Sequence, residues 1–506
     1  MIGTRVERVV SSDRRHSVAR VRGLYLRALG LVFVLAFASL LPQLSALLGP
    51  EGLSPAAELL GYVLQVLPGP ERYLRLPTLL WWLGAEEGAL RGVGFAGLGC
   101  GVLLAANVAP RWALGGAWAC YLSLTTVGGV FLGYQWDVLL LEAALVSLPL
   151  TPGHLWPPGV SPAPLPGALL LPRLLLFRLM LMSGVVKLAS GDPTWRDFTA
   201  LQYHYWTQPL PNPVAWFVHL LPAGLQRAST AVTLIIEIGA PFLLFGPRRA
   251  RLVAAALLAA LQLAIFATGN YGFFNLLTLV LCLSALDDGV LGRWRFGGPP
   301  PAVPAPPRRH PRASAAALVL FAVAYAFLGF SLDAQRLLSR PLPGALGTLL
   351  DDLAGLRSIN TYGLFAVMTT GRHEILIEGS ADGRTWKEYR LPYRPGRVDE
   401  SPRFVAPHQP RLDWQMWFAA LSICQRNPWL LRLQELLLRG GPAVQRLFEE
   451  DPFPDAPPRF VRTRLFDYRF TDWGTWRATG DWWTREELGP YCPPLTIETG
   501  QLRAVP

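Results

Sequence analysis

The feature that most constrains this chain is a series of long stretches without a charged residue. Residues 28–49, 92–110, 112–136, 252–286 and 313–332 contain no Asp, Glu, Lys or Arg. A helix needs roughly 20 mostly apolar residues to cross the hydrocarbon core of a bilayer. The whole chain is only 16% charged, against about 25% in ordinary soluble domains. The deficit lies before residue 332; the remainder has the composition of a soluble domain. The expected fold class is therefore a polytopic α-helical membrane protein with a C-terminal extracytoplasmic β-rich α+β domain.

The positions of the arginines give the topology. A basic N-terminus, 1–27, carries Arg5, Arg8, Arg14, Arg15, Arg20, Arg22 and Arg27. The positive-inside rule places it in the cytoplasm, and the first apolar block is too long for a signal-peptide core. About nine spans are expected, near 28–48, 92–109, 113–132, 138–150, 174–189, 228–245, 252–268, 273–286 and 313–331. This count puts Arg111, the Arg248, Arg249 and Arg251 cluster, and the Pro- and Arg-rich linker 287–312 in the cytoplasm. It puts three segments on the outer side with the domain 332–506: GYQWD at 133–137, the Trp-rich loop 190–227 and GNYG at 269–272. The apolar pieces within 50–91 are too short to span and read as interfacial or re-entrant helices. Aromatics in the outer loops have a ready explanation as an interfacial belt.

Net charge is +11, but the basic residues flank spans and form no patch interleaved with aromatics. Membrane lipids are the expected partners and nucleic acid is not. The five cysteines include no C-x-x-C. Cys100, Cys120 and Cys282 lie in apolar blocks as small hydrophobes; Cys424 and Cys492 are able to pair in an oxidising compartment. The seven histidines form no H-x-x-x-H or H-E-x-x-H pattern, and no phosphate-binding or nucleotide-binding glycine loop is present. No metal site, cofactor or catalytic residue is expected on these grounds.

Beyond residue 332, alternation at 373–379, a turn at Asp382-Gly383 and a return over 386–391 predict a hairpin. Helices are expected at 412–424, 429–438 and 444–448, and a further strand at 460–470. The segment 407–420, PHQPRLDWQMWFAA, is the densest in chemistry. Trp414, Trp417, Phe418 and Leu421 share one helical face. Asp413 reads as an N-cap or first-turn acid, and Arg411 with Asp413 as a pair tying a loop. His408 has no second His or Cys beside it to complete a catalytic or metal site. Within spans, Glu142, Arg178, Lys187 and Glu237 are costly intramembrane polar groups. A structural ion pair is the plainer reading for Glu142, Arg178 and Glu237, whereas a buried Lys187 is a candidate base.

The order of several phrases resembles the lipase maturation factor family: Asn360 to Phe365 with Tyr362, then Arg372 and Glu374, Glu378-Gly379-Ser380, PHQPRLDWQMWF, Asp451 to Pro454, Pro457 to Arg462, Tyr468 to Phe470, and Trp482-Trp483 before Cys492. GYQWD with Glu142, the stretch from Lys187 to Trp195, and GNYGFFN also fit. The resemblance implies a polytopic, non-enzymatic membrane factor, in eukaryotes of the endoplasmic reticulum membrane, that assists folding and assembly of secreted lipases. Its client-binding or domain-defining residues would include His408, Arg411, Asp413, Trp414, Trp417, Phe418, Asn360, Tyr362, Arg372 and Glu374. The Arg/Ala/Leu/Pro bias, with no N-x-S/T acceptor or retention signal, points to a bacterial-type member in an inner membrane. A shorter likeness, Gly184 to Leu188 followed by Trp195, is similar to the vitamin K-dependent carboxylase-like membrane family. It implies, as an alternative, an enzyme acting on a lipid or quinone with Lys187 as base. A membrane-anchored binding module is a further alternative.

Overall fold

The computed structural model describes residues 17–156, 164–293 and 311–505. Arg5, Arg8, Arg14, Arg15, Arg295, Arg308 and Arg309 lie outside the described residues. Among the described residues, nine helices overlap the nine apolar segments: α1 (Ala19–Leu40), α2 (Glu87–Ala105), α3 (Pro110–Val127), α4 (Gln135–Ser147), α5 (Leu170–Ala189), α6 (Ala223–Leu243), α7 (Arg248–Thr268), α8 (Phe274–Leu283) and α9 (Arg312–Leu338). Among the described residues, four of them, α1, α2, α7 and α9, are long and apolar enough to cross a membrane by length and composition alone. The other five are short or carry charge. At 1.5 Å per residue, the 10-residue α8 reaches only about half of the ~30 Å hydrocarbon core. Helix α5 carries Arg173, Arg178 and Lys187, and α6 carries Arg227 and Glu237.

The first helix begins nine residues earlier than its apolar block and takes in Arg20, Arg22 and Arg27. The carboxylate of Asp288 stabilises this start by accepting from the backbone N–H of Arg20 (3.1 Å) and Val21 (3.0 Å). It thereby satisfies orphan donors at the helix N-terminus. The helix ends at Leu40 because Pro42 cannot donate a backbone hydrogen bond and blocks continuation; a separate short helix, Leu44–Leu48, follows. Helices α1 and α2 meet closely. A side chain on Gly30 would collide with the backbone of Ala105 and Gly101, the small-residue contact common between membrane helices. The segment 50–86 contains only short helices, the longest Ala56–Val66.

The C-terminal domain is a five-stranded antiparallel sheet in the order β2-β1-β3-β4-β5. Its strands are β1 (Arg372–Ser380), β2 (Lys387–Tyr389), β3 (Phe460–Phe470), β4 (Trp483–Glu498) and β5 (Gln501–Ala504). Helices α10 (Arg411–Ala420) and α11 (Pro428–Leu438) lie between β2 and β3. The hairpin and the strand at 460–470 stand where alternation predicts them. The return strand is shorter than expected, α10 stops four residues early, and the third short helix is Pro442–Gln445. The longest strand, β4, has no counterpart in the sequence reading. Gly489, Pro490, Pro493 and Pro494 interrupt its pattern, and its register against β3 shifts at three places. Prolines and glycine are tolerated where such bulges break the ladder.

Candidate functional site

The most developed site is a buried polar seam that joins the C-terminal domain to one end of the helical bundle, and the segment 407–418 lies at its centre. Arg411 opens α10 and is fully buried. Its guanidinium donates bidentately to Asp137 at the start of α4 (2.7 and 2.8 Å), and to the carbonyl of Phe131 (2.8 Å). The hydroxyl of Tyr121 on α3 also donates to Asp137 (2.5 Å). Such charge-assisted forks are the strong class of hydrogen bond. Burying the two ions without this full set would cost several kcal/mol. Backbone groups are used as well. Gln43 accepts from the Arg411 N–H (2.8 Å) and donates to the Gln409 carbonyl (2.9 Å), and Ser39 accepts from the Gln409 N–H (2.8 Å).

This geometry changes the reading of three residues. Arg411 pairs with Asp137, not with Asp413, because residues two apart on a helix face different directions. Asp413 is a first-turn acid, as one of its two readings has it, and not the N-cap, which is Pro410; its carboxylate accepts the N–H of Tyr393 (3.0 Å). Complete burial pushes its carboxyl up to about 7 despite that hydrogen bond and nearby Arg394. His408 meets the Ser39 hydroxyl through Nδ1 (2.9 Å) and packs against Tyr393; burial lowers its proton affinity.

The aromatic face of α10 divides. Trp414 is buried among Trp136, Tyr134 and Tyr271, with ring centroids 4.7–5.9 Å away. Trp417 is buried and donates to the Thr207 carbonyl (2.9 Å). Phe418 and Leu421 emerge at the last turn, 41% and 46% exposed, followed by Ile423 at 58%. The aromatics of residues 190–227 and 269–272, which an interfacial belt would have accounted for, are largely used in the seam. Tyr205, Trp206 and Trp216 pack with Leu376, Phe466, Tyr468 and Trp483 of the sheet. Trp195 donates to the Phe365 carbonyl (2.9 Å). Asn270 of GNYG donates to the Arg403 carbonyl (2.8 Å) and accepts from the N–H of Val405 (2.8 Å).

A second buried cluster carries Arg372 and Glu374, which alternate onto one face of β1. Arg372 donates to the carbonyls of Trp206 (3.0 Å), Gln208 and Pro209 (2.9 Å) in the loop before α6. Glu374 pairs with Arg372 (2.6 Å) and with Arg394.

Two further ion clusters lie in the bundle. Glu142 on α4 accepts from Arg178 on α5 (3.0 Å), Tyr325 on α9 (2.6 Å), Tyr362 (2.6 Å), and both the backbone N–H and side-chain amide of Asn360 (2.8 Å each). Arg178 also binds Asp333 (2.8 and 3.2 Å) and the carbonyls of Gly329 (2.9 Å) and Asn360 (2.7 Å). Any side chain at Gly329 would occupy the space of the guanidinium. Lys187 on α5 donates to both oxygens of Glu237 on α6 (2.7 Å each) and lies over the Trp195 ring at 5.1 Å. Among the described residues, no group of His, Cys, Asp and Glu side chains has the arrangement of a metal site.

Comparison with known proteins agrees with both halves of this architecture. The lipase maturation factor transmembrane domain matches residues 20–293, and the lipase maturation factor C-terminal domain matches 358–493. Lipase maturation factor 2 of Homo sapiens is 35% identical, covering 94% of this chain and 82% of the relative. The Gallus gallus protein of that name is 33% identical with the same coverage. Lipase maturation factor 1 of Bos taurus is 32% identical over 93% of this chain and 88% of its own length. The chain belongs to the lipase maturation factor family. It is an integral membrane protein of that family. No solved structure matches it.

Within this family member, several residues of the seam and of the bundle's ion clusters escaped the sequence reading. Ser39, Gln43, Tyr121, Tyr325 and Asp333 sit in or beside apolar blocks, and their partners are far away in sequence. Asp333 alone left a signal, as the first charge after a 20-residue block without one. Cys424 and Cys492 form a disulfide, Cα atoms 5.5 Å apart, that ties the α10–α11 connection to β4.

Proposed function

We propose that this chain is a non-enzymatic membrane-bound maturation factor for lipase-type secreted proteins, with its C-terminal domain on the extracytoplasmic side. Lipase maturation is what the names of the relatives describe. The observation that carries the reading is how the buried ionisable side chains are used. Arg411, Asp137, Arg372, Glu374, Glu142, Arg178, Lys187 and Glu237 are each engaged by another charge. Arg411–Asp137, Arg372 and Glu142 tie residues beyond 332 to the bundle, and Lys187–Glu237 joins two bundle helices; catalysis would need such groups free to act on a substrate. The Cys424–Cys492 disulfide supports an oxidising compartment for this domain. The arginine distribution supports nine crossings with the N-terminus in the cytoplasm. The client surface is the exposed end of α10, where Phe418, Leu421 and Ile423 stand out from a helix whose other aromatics are fixed.

The test is deletion of the gene in its native host. Secreted lipase activity should fall while lipase transcript is unchanged, and a Phe418→Ser, Ile423→Ser variant should fail to restore it. Unchanged secreted hydrolases together with altered membrane lipids or quinones would refute the proposal.

A further inference from the structure

Helix α6 has two unlike faces. Gln226, Thr230, Leu234, Glu237 and Pro241 are buried against the bundle. Opposite them, Leu225, Val232, Ile235 and Phe242 are 54%, 51%, 69% and 58% exposed. Their spacing of seven, three and seven forms one continuous apolar stripe. Helix α7 is long and apolar enough to cross a membrane, and α6 has the same 21-residue length and joins it through a turn of only four residues. Helix α6 therefore runs through the same depth, and its exposed stripe is covered by acyl chains.

At the N-terminal end of α6 the stripe does not stop. It continues through Leu221 (42% exposed) to Phe217 (47% exposed) on the short helix Pro213–His219. There it reaches the C-terminal domain. Trp473, 42% exposed, lies 6.4 Å from Phe217 and 5.8 Å from Trp216, and stacks on Trp476 at 5.3 Å. The Arg477 guanidinium covers the Trp473 ring at 5.0 Å. This is the composition of a headgroup-level contact: an amphipathic indole at the acyl boundary with a cation beside it.

We infer that the C-terminal domain has its own foothold in the bilayer. Trp473, backed by Phe217, seats in the headgroup layer of the leaflet on its side of the membrane and continues the lipid-facing stripe of α6. The foothold would fix the sheet domain against the membrane plane at a point remote in sequence from the Arg411 seam.

Full-length protein in phosphatidylcholine nanodiscs provides the test. An environment-sensitive fluorophore is placed at Trp473→Cys, Phe217→Cys, Ile235→Cys and Leu488→Cys, with the unsubstituted protein giving the background from native thiols. The discs contain lipids bearing a nitroxide either just below the headgroup or deep in the acyl chain. The labels at 473 and 217 should lose fluorescence mainly to the shallow nitroxide, and the label at 235 mainly to the deep one. The label at 488, on the exposed part of β4, should lose none. A label at 473 that behaves like the one at 488 would overturn the inference, leaving Trp473 facing water or a protein. Absence of quenching at 235 would overturn it too, by removing the lipid-facing stripe. Phe217→Cys keeps the test decisive if Trp473→Cys does not fold.

Discussion

Two buried ion pairs, similar in length and burial, hold this protein together in different ways. Arg411–Asp137 joins residues 274 positions apart and unites two domains; Lys187–Glu237 joins neighbouring helices that already pack along their lengths. The first is a planar fork with a carboxylate, a phenol and a carbonyl arranged around it. The second is a point charge between a carboxylate and an indole. An arginine fork fixes orientation as well as distance, which a lysine does not. The bundle thus uses its ion pair for local neutrality, whereas the seam uses its pair to set how one domain sits on another.

Breaking each pair should separate these roles. Arg411→Ala and Lys187→Ala each leave a buried carboxylate unpaired, and each should cost about 3–5 kcal/mol, read as a lowered thermal midpoint in detergent. Limited proteolysis should tell them apart. Arg411→Ala should release the C-terminal domain by cleavage in the segment preceding β1, while Lys187→Ala should leave it docked. The same fragment pattern from both variants would mean that the two ion pairs do not differ in role.

The disulfide is next in size. Cys492→Ala removes a cross-link that closes a 68-residue separation and should cost about 2–5 kcal/mol. The loss should be confined to the sheet domain and equal that of Cys424→Ala.

Asp413 sharpens the seam side of the comparison through pH. Its folded carboxyl lies near 7, above the unfolded value of about 3.9. Between those values the folded state holds more protons than the unfolded state, so stability falls as pH rises from about 4 to about 7 and then levels. The loss is at most about 4 kcal/mol for a shift of this size. Asp413→Asn should flatten the stability profile in that window, measured by unfolding from pH 4 to 8. A wild type that gains stability over the window relative to Asp413→Asn would contradict the assignment.

The smallest stability effect belongs to the exposed end of α10. Phe418→Ser should change stability by about 0.5 kcal/mol or less yet reduce client maturation. Trp414→Ala, four residues earlier and buried, should cost about 3–5 kcal/mol.

Charge-free blocks and arginine clusters made the bundle legible because lipid solvation acts on each segment by itself. Hairpin and helix signals in the C-terminal domain were legible for the same reason: turn chemistry and periodicity are local. Strand β4 was not, since its three register shifts, which leave 488, 491 and 493–494 out of the pairing, destroy the alternation that marks a strand. Neither was the seam. Arg411 looks like a partner for Asp413 because Asp137 is more than half the chain away, and Ser39 and Gln43 look like ordinary polar interruptions of an apolar block. Glu142, Arg178, Lys187 and Glu237 stood out individually, but only the fold shows which carboxylate meets which cation.

A double-mutant cycle on the intact protein measures whether the Arg411–Asp137 pair couples the two domains. Arg411→Met and Asp137→Leu would be measured singly and together by unfolding in nanodiscs. Each single variant strands a buried charge, so the double variant should be more stable than either, with a coupling larger than the loss in either single variant, about 3 kcal/mol or more. Additive losses, with the double variant the least stable of the three, would contradict the account.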